Sequence, residues 1–369
     1  MQNTINMNIG VIGIGKIGLG IALNLEDKGY NVIGYDISPE YVKNINNKII
    51  DTQEPQYNHF LKKSTNFQAT NNIKDVLSSD LIFIMVRTES KKSGEYDCSQ
   101  IEDAYSELIE YKQEIPKSLV LCSNVNPGYS DKLASRLIEY GYKLSFNPEI
   151  VAQGSIMDNL SNPSSIIIGE YDKSEGTKLE NIYKSFTNAP IYRMDRTSAE
   201  LFKIGFNCFL TTKIAYANSL GDLAIKMGRD PEVILKAIGS HNYHKGNKFF
   251  SYGHSYGGPC FRRDNRALIY TSEQWGEKAL IQKAVDESNN DHLQFMINHF
   301  VENNNLKDPI ITKEVTFKPG VPYIEESKQL EYMVGLAKKG FYITIKQSSQ
   351  VINKIKKIHG NLFKYLINE

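Results

Sequence analysis

The 369-residue chain carries 43 Lys and Arg against 42 Asp and Glu, with 41% hydrophobic and 23% charged residues. This is the balance of a globular protein long enough for two or three cores, and a net charge of +1 excludes a general basic field for nucleic acid or an anionic membrane. The polar opening lacks the order of a signal peptide and runs such as 81–86 are too short for a bilayer. Cys98, Cys122, Cys208 and Cys260 are scattered without a C-x-x-C pair, so the expectation is a cytoplasmic protein with reduced thiols and no metal site.

The first half alternates short apolar runs with helical patterns. Strands are predicted at 8–12, 31–35, 81–86, 119–123, 143–146 and 165–168, and helices at 17–28, 39–45, 101–110 and 130–139. That alternation predicts an α/β domain over 1–196, a parallel sheet with helices on both faces. Thr197 to Glu200 has the pattern of a capping box opening a long helix that Gly228 stops, and Asp230-Pro231 begins the next one. Helices are also predicted near 267–286 and 291–301, giving an all-helical domain over 197–301. The remainder, 302–369, returns to strands at 309–316 and 342–345 and helices at 325–338 and 350–359, a small second α/β domain.

The first strand runs into Gly13-Ile14-Gly15-Lys16-Ile17-Gly18, a G-x-G-x-x-G opening a helix. Gly13 permits the tight turn, Gly15 lets the backbone approach a pyrophosphate, Gly18 lets helix and strand pack closely, and the helix N-terminus supplies N–H donors. The second strand leads to Asp36, an acid that can accept both ribose hydroxyls and would repel a 2′-phosphate, so NAD is expected over NADP.

Three other segments carry candidate chemistry. On the long helix, Lys203 and Asn207 are four residues apart and share a face with Glu200 and Thr211; alone, such a polar stripe reads as a solvated face. Residues 252–264, Y-G-H-S-Y-G-G-P-C-F-R-R-D, combine a glycine-rich stretch with Cys260, beside which Arg262 and Arg263 would favour a thiolate. The run Phe146-Asn147-Pro148-Glu149 ends a strand, which places Glu149 at the carboxyl edge of the sheet.

Taken together, F-N-P-E, then A-E-L-F-K-I-G-F-N-C-F-L-T-T-K, then Y-G-G-P-C-F-R-R-D, with F-K-P-G at 317–320, resemble the UDP-glucose/GDP-mannose dehydrogenase family in order and spacing over nearly the whole chain. The resemblance implies a four-electron oxidation of a nucleotide-sugar C6 alcohol, UDP-glucose first, by two hydride transfers to NAD. By it, Cys260 forms a thiohemiacetal and then a thioester, Lys203 and Asn207 stabilise the C6 oxyanion, and Asp264, with Glu149, serves the proton and water steps. It also implies cofactor contacts from Lys16, Ile17, Thr88, Asn124 and Arg263. Substrate contacts come from Glu149, Lys203, Asn207, Phe249, Phe250, Gly253, Tyr256, Gly257, His244 and Lys318. Family members pair through the helical domain, so a homodimer is expected, and their last α/β domain holds the nucleotide.

Departures from the family pattern are local. Asn124 stands where a threonine is usual, Gln153 where an acid is common, His244 in place of an arginine, and Arg262 in place of a proline. An amide cannot act as a general base, so that duty passes to Glu149, Asp264 or water. The last domain stops short of the final strands and helix of the family pattern, and Asn-Pro-Glu fits the glucose/mannose branch. Two other readings share these features: a two-electron 6-phosphogluconate or 3-hydroxyacid type of dehydrogenase, which needs no cysteine, and a non-catalytic sugar-nucleotide-binding relative.

Overall fold

The computed structural model describes residues 7–52, 54–241, 248–318 and 321–368. The chain divides into two compact units, Met1–Ile204 and Gly205–Glu369.

In the first unit β1 (Asn8–Ile12) leads through the glycine turn into α1 (Lys16–Asp27) and β2 (Asn31–Tyr35). Next come α2 (Pro39–Asn46), α3 (Tyr57–Lys63), β3 (Phe67–Thr70), α4 (Ile73–Val76) and β4 (Leu81–Ile84). A short hairpin of β5 (Glu89–Ser90) and β6 (Tyr96–Asp97) precedes α5 (Ser99–Ile109), β7 (Lys117–Leu121), α6 (Tyr129–Leu137) and β8 (Tyr142–Phe146). The unit is completed by α7 (Ile156–Ser161), β9 (Ile166–Gly169), α8 (Lys173–Lys184) and β10 (Ile191–Met194). The strands form an eight-stranded sheet in the order β10-β9-β8-β7-β4-β1-β2-β3. Its pairings are parallel except β8 to β9, where Phe146 faces Gly169 antiparallel.

Period-two alternation sorts the core onto the two faces. Ile9, Val11, Leu81, Phe83 and Val120 pack into one buried cluster, while Ile12, Ile82, Ile84, Leu119 and Leu121 pack into another. The central strands are therefore apolar throughout, as a sheet covered on both faces requires. Short polar-flanked elements such as β3 and α7 carry too little periodicity to be foreseen.

The expected capping box is corrected by the structure. The long helix, α9 (Arg196–Lys226), starts earlier, and Asp195 caps it by accepting from Ser198 N at 2.9 Å. Thr197 Oγ1 instead donates to Asp131 at 2.8 Å, and Glu200 accepts from Gly128 N at 2.6 Å and Ser130 N at 2.8 Å. Glu200 thus caps α6, whose own N-cap residue is Gly128, without a side chain to do so. Its carboxyl is raised to about 7 because burial outweighs those donors.

The second unit takes the rest of α9, then α10 (Pro231–Gly239), α11 (Gly258–Gln274) and α12 (Leu280–Asn303). Asp230 caps α10 by accepting from Glu232 N at 2.9 Å, and Gly228 adopts a left-handed φ of +68° after α9, as the sequence predicts. The helix expected over 267–286 is two helices. Gly276 at φ +79° breaks it, because the apolar periodicity continues across the turn while the backbone does not. After β11 (Ile310–Thr312) come α13 (Lys328–Lys338), β12 (Ile343–Gln347), α14 (Ser349–His359) and β13 (Lys364–Ile367). The three strands pair in parallel in the order β11-β12-β13 over a cluster of Ile343, Ile345, Leu336, Val351 and Ile355. Among the described residues no helix is long and apolar enough to cross a membrane.

Candidate active site

The glycine turn satisfies three separate demands. Gly13 has φ +85°, and a Cβ there would lie 2.4 Å from Met85 O. A Cβ on Gly18 would lie 1.9 Å from Gly13 O, so helix and turn close only on a hydrogen. A Cβ on Gly15 would meet nothing within 4 Å. Packing therefore fixes Gly13 and Gly18, whereas the space beside Gly15 is left for a ligand. No side chain caps the first turn of α1, where Lys16, Ile17 and Gly18 present their N–H groups, and it holds no acidic residue. Asp36 follows β2, half-buried, with one carboxylate oxygen accepting from Ser38 N at 3.0 Å; burial raises its pKa. These residues fit a dinucleotide: N–H donors for the diphosphate and an acid for the ribose diol.

Thr88 is buried just beyond β4, and Asn124 follows β7 next to Ser123, whose hydroxyl bonds the Val86 backbone. Glu149 lies beyond β8. Its neighbour Asn147 is buried, donating to Ile167 O at 2.7 Å and bonding Tyr183, which fixes the Asn-Pro-Glu turn. Burial raises the Glu149 carboxyl to about 7, against the opposing pull of Lys203. Lys203 is itself buried, and its ammonium donates to Glu149 O at 2.8 Å. The polar stripe of α9 is not a solvated face: Glu200, Lys203, Asn207 and Thr211 are all at most 8% exposed.

In the second unit, Asp264 is fully buried and accepts from Asn207 Nδ2 at 2.5 Å and Arg263 Nε at 3.0 Å. Cys208 donates to its backbone carbonyl. Cys260 is exposed in the first turn of α11, which Gly257 and Gly258 open. Arg262, beyond Cys260 on α11, pairs with Glu326 and Glu331, and Arg263 with Asp264. Cys260 itself stands at the N-terminal end of α11, where the helix carries its positive partial charge.

The stretch before Cys260 is an anchored loop. Gly253 donates to Asn218 Oδ1 at 3.1 Å, and its carbonyl accepts from His292 Nε2 at 2.6 Å. Asn289 clamps Tyr256 through both backbone groups, and Gly258 N donates to Glu326 O at 3.0 Å. A Cβ on Gly257 would lie 2.2 Å from that same carbonyl. Of the expected substrate residues, Phe250 and Tyr256 are buried among helices, Phe250 with Ala217 and Leu235, Tyr256 with Ala215 and Val285. Phe249 is partly exposed at φ +61°, and Lys318 is partly exposed. His244 lies outside the described residues. Asn218, Asn289 and His292 were not foreseen, because the loop residues each of them holds are remote in sequence.

The parallel sheet, the glycine turn and the acid after β2 define a dinucleotide-binding fold of the kind dehydrogenases carry. The chain belongs to the UDP-glucose/GDP-mannose dehydrogenase family, matching its NAD binding domain over 7–187 and its central domain over 197–291. It is 30% identical over 348 residues to a UDP-glucose 6-dehydrogenase of Rickettsia conorii, covering 91% of this chain and 80% of that protein. It is 29% identical over 355 residues to a GDP-mannose 6-dehydrogenase of Pseudomonas aeruginosa, covering 92% and 80%. The solved structure of a UDP-glucose dehydrogenase from Pyrobaculum islandicum shares the fold, with a TM-score of 0.90 at 24% identity over 100% of this chain and 88% of that one. The expected fold class, family and NAD dependence all stand.

Proposed function

We propose that the protein oxidises the C6 alcohol of a nucleotide sugar, UDP-glucose first among candidates, to the uronic acid, with Cys260 as nucleophile. The observation that carries this is Cys260 exposed in the first turn of α11, one turn before a buried Asp264 held by Asn207. NAD, which the first-turn N–H groups of Lys16, Ile17 and Gly18 and the Asp36 carboxylate would hold, would supply the hydride acceptor, a fresh molecule for each of the two oxidation levels. Glu149, raised to about 7, takes the hydroxyl proton of the alcohol as that bond is oxidised to the aldehyde. The Cys260 thiolate then adds to the aldehyde carbon, and the oxygen that gains charge is met by Lys203 and by the second Nδ2 hydrogen of Asn207. Loss of the second hydride turns this thiohemiacetal into a thioester. Water, its proton accepted by Asp264, adds to the thioester carbon and expels the thiolate, leaving the carboxylate. Asn124 and Gln153 cannot accept that proton in either step.

A homodimer is part of the same reading. Phe209, Tyr216, Leu223 and Met227 recur along α9 and are each more than half exposed. An apolar stripe of this kind on a central helix supports pairing of two copies. The balanced charge supports a small-molecule enzyme rather than a nucleic-acid or membrane binder, and the reduced cysteines support a cytoplasmic setting.

The test is NADH formed per nucleotide sugar consumed, over UDP-glucose, UDP-galactose, GDP-mannose and UDP-N-acetylhexosamines. About two NADH per sugar, with acid formation abolished in Cys260→Ala, is expected from the covalent route. One NADH per sugar with Cys260→Ala unimpaired assigns the two-electron class, and no NADH with any donor assigns a binding protein.

A further inference from the structure

Residues 54–57 cross from α2 towards α3 and tie two parts of the first unit together. Glu54 is 5% exposed, and both its carboxylate oxygens accept from Gly154 N, at 3.0 and 2.8 Å. The same carboxylate lies 3.8 Å from Lys16 Nζ at the start of α1. Gln56 Nε2 donates to Asp158 in α7 at 2.7 Å, and the buried Tyr57 hydroxyl donates to Lys16 O at 2.5 Å. That hydroxyl occupies the space a Cβ on Gly20 would need, so α1 is cut to receive it.

The far end of these bonds is the segment that leaves β8 with Glu149. Gly154 sits there at φ +82°, and Ala152 N is held by Asn159 Oδ1 at 2.8 Å. Between Glu149 and α7 the backbone has few ladder bonds of its own, so the Glu54 carboxylate replaces a missing strand partner. A carboxylate taking one N–H with two oxygens is a strong acceptor, and burial removes water as a substitute.

We propose that Glu54 is a positioning residue for the oxidation: through Gly154 N–H it holds the segment bearing Glu149 in register with the cofactor turn. Its ion pair with Lys16 is secondary. The inference rests on the oxidation proposed above, but its first test does not.

Hydrogen exchange measured on the whole protein reads the Gly154 bond without substrate or cofactor. Glu54→Ala is expected to speed exchange in the 149–158 segment about tenfold. Glu54→Gln retains an oxygen for Gly154 N–H and keeps the wild-type rate, whereas Glu54→Asp, drawn back by one methylene, exchanges like Glu54→Ala. With NAD and nucleotide sugar, kcat falls about tenfold in Glu54→Ala and Glu54→Asp while KM for NAD stays within about threefold, and Glu54→Gln keeps kcat within about threefold. That order, Gln above Asp, is the signature. The reverse order assigns Glu54 as a charge partner of Lys16 and overturns the proposal, as does wild-type exchange in Glu54→Ala. If Glu54→Ala does not fold, the Gln and Asp variants decide between the two. A wild-type protein that oxidises no nucleotide sugar refutes the proposed function while the exchange measurements still decide the role of Glu54.

Discussion

Replacing Glu200 by glutamine should make the protein more stable at pH 8 than at pH 5, relative to wild type. The carboxyl is fully buried against the first turn of α6 and its pKa is raised to about 7 by that burial. In the unfolded chain the same group titrates near 4.5. Between those values the folded state holds a proton the unfolded state has released, so Glu200 favours folding below about 4.5 and this contribution is lost as pH rises through about 7. The displacement corresponds to roughly 3 kcal/mol as an upper bound, since one pKa unit is 1.36 kcal/mol. Glutamine keeps an oxygen for one of the two N–H groups and never ionises. Glu200→Ala, by contrast, strands both Gly128 N and Ser130 N and should cost about 2–4 kcal/mol at pH 5, and less as pH rises through about 7 and the wild type loses its own contribution. Urea melts of wild type, Glu200→Gln and Glu200→Ala at pH 5, 6, 7 and 8 measure this. A difference between wild type and Glu200→Gln that stays flat with pH, or grows in favour of wild type as pH rises, would refute the reasoning.

Three further outcomes follow from the site. Gly18→Ala places a methyl 1.9 Å from Gly13 O and should weaken NADH binding at least about tenfold by fluorescence titration, through displacement of α1 from the turn. Asp36→Ala should raise the NAD dissociation constant about tenfold, the loss expected from removing a hydrogen-bonded anion worth ~1.5–3 kcal/mol, and should narrow the preference over NADP; unchanged NAD affinity removes Asp36 from the ribose. With Glu149 as a base raised to about 7, kcat/KM should fall about tenfold per pH unit below that value, and Glu149→Gln should abolish this limb. A limb that persists in Glu149→Gln assigns it to another group.

The dinucleotide unit was legible because its signals are local. Gly13, Gly15, Gly18 and Asp36 act within a single strand-turn-helix-strand, and β1 and β2 fall where period and turn residues place them. The middle was harder for a physical reason: polar residues on α9 find their partners across the fold. Glu200, read as the end of a capping box on its own helix, caps α6 about seventy residues earlier in the chain. Lys203 and Asn207, on what sequence reads as a solvated stripe, are buried because Glu149 and Asp264 supply oxygens to meet them. Cys260 was found by motif, but its place in the first turn of α11 was not, since glycine density reads as loop. Glu54 gave no sequence signal, because only the fold brings Gly154 to it.

The long helix α9 is also a ruler. Its 31 residues span roughly 46 Å without a break, so its buried polar stripe and its exposed apolar stripe stand at a fixed angle to one another. Single substitutions leave that angle intact. Deleting or inserting one residue after Asn207 would turn everything beyond it by about 100°, carrying Phe209, Tyr216, Leu223 and Met227 together to a new angle relative to Glu200, Lys203 and Asn207. Over this stretch the chain can therefore change its letters far more readily than its length, and gaps in related sequences should collect in the turns at either end of α9.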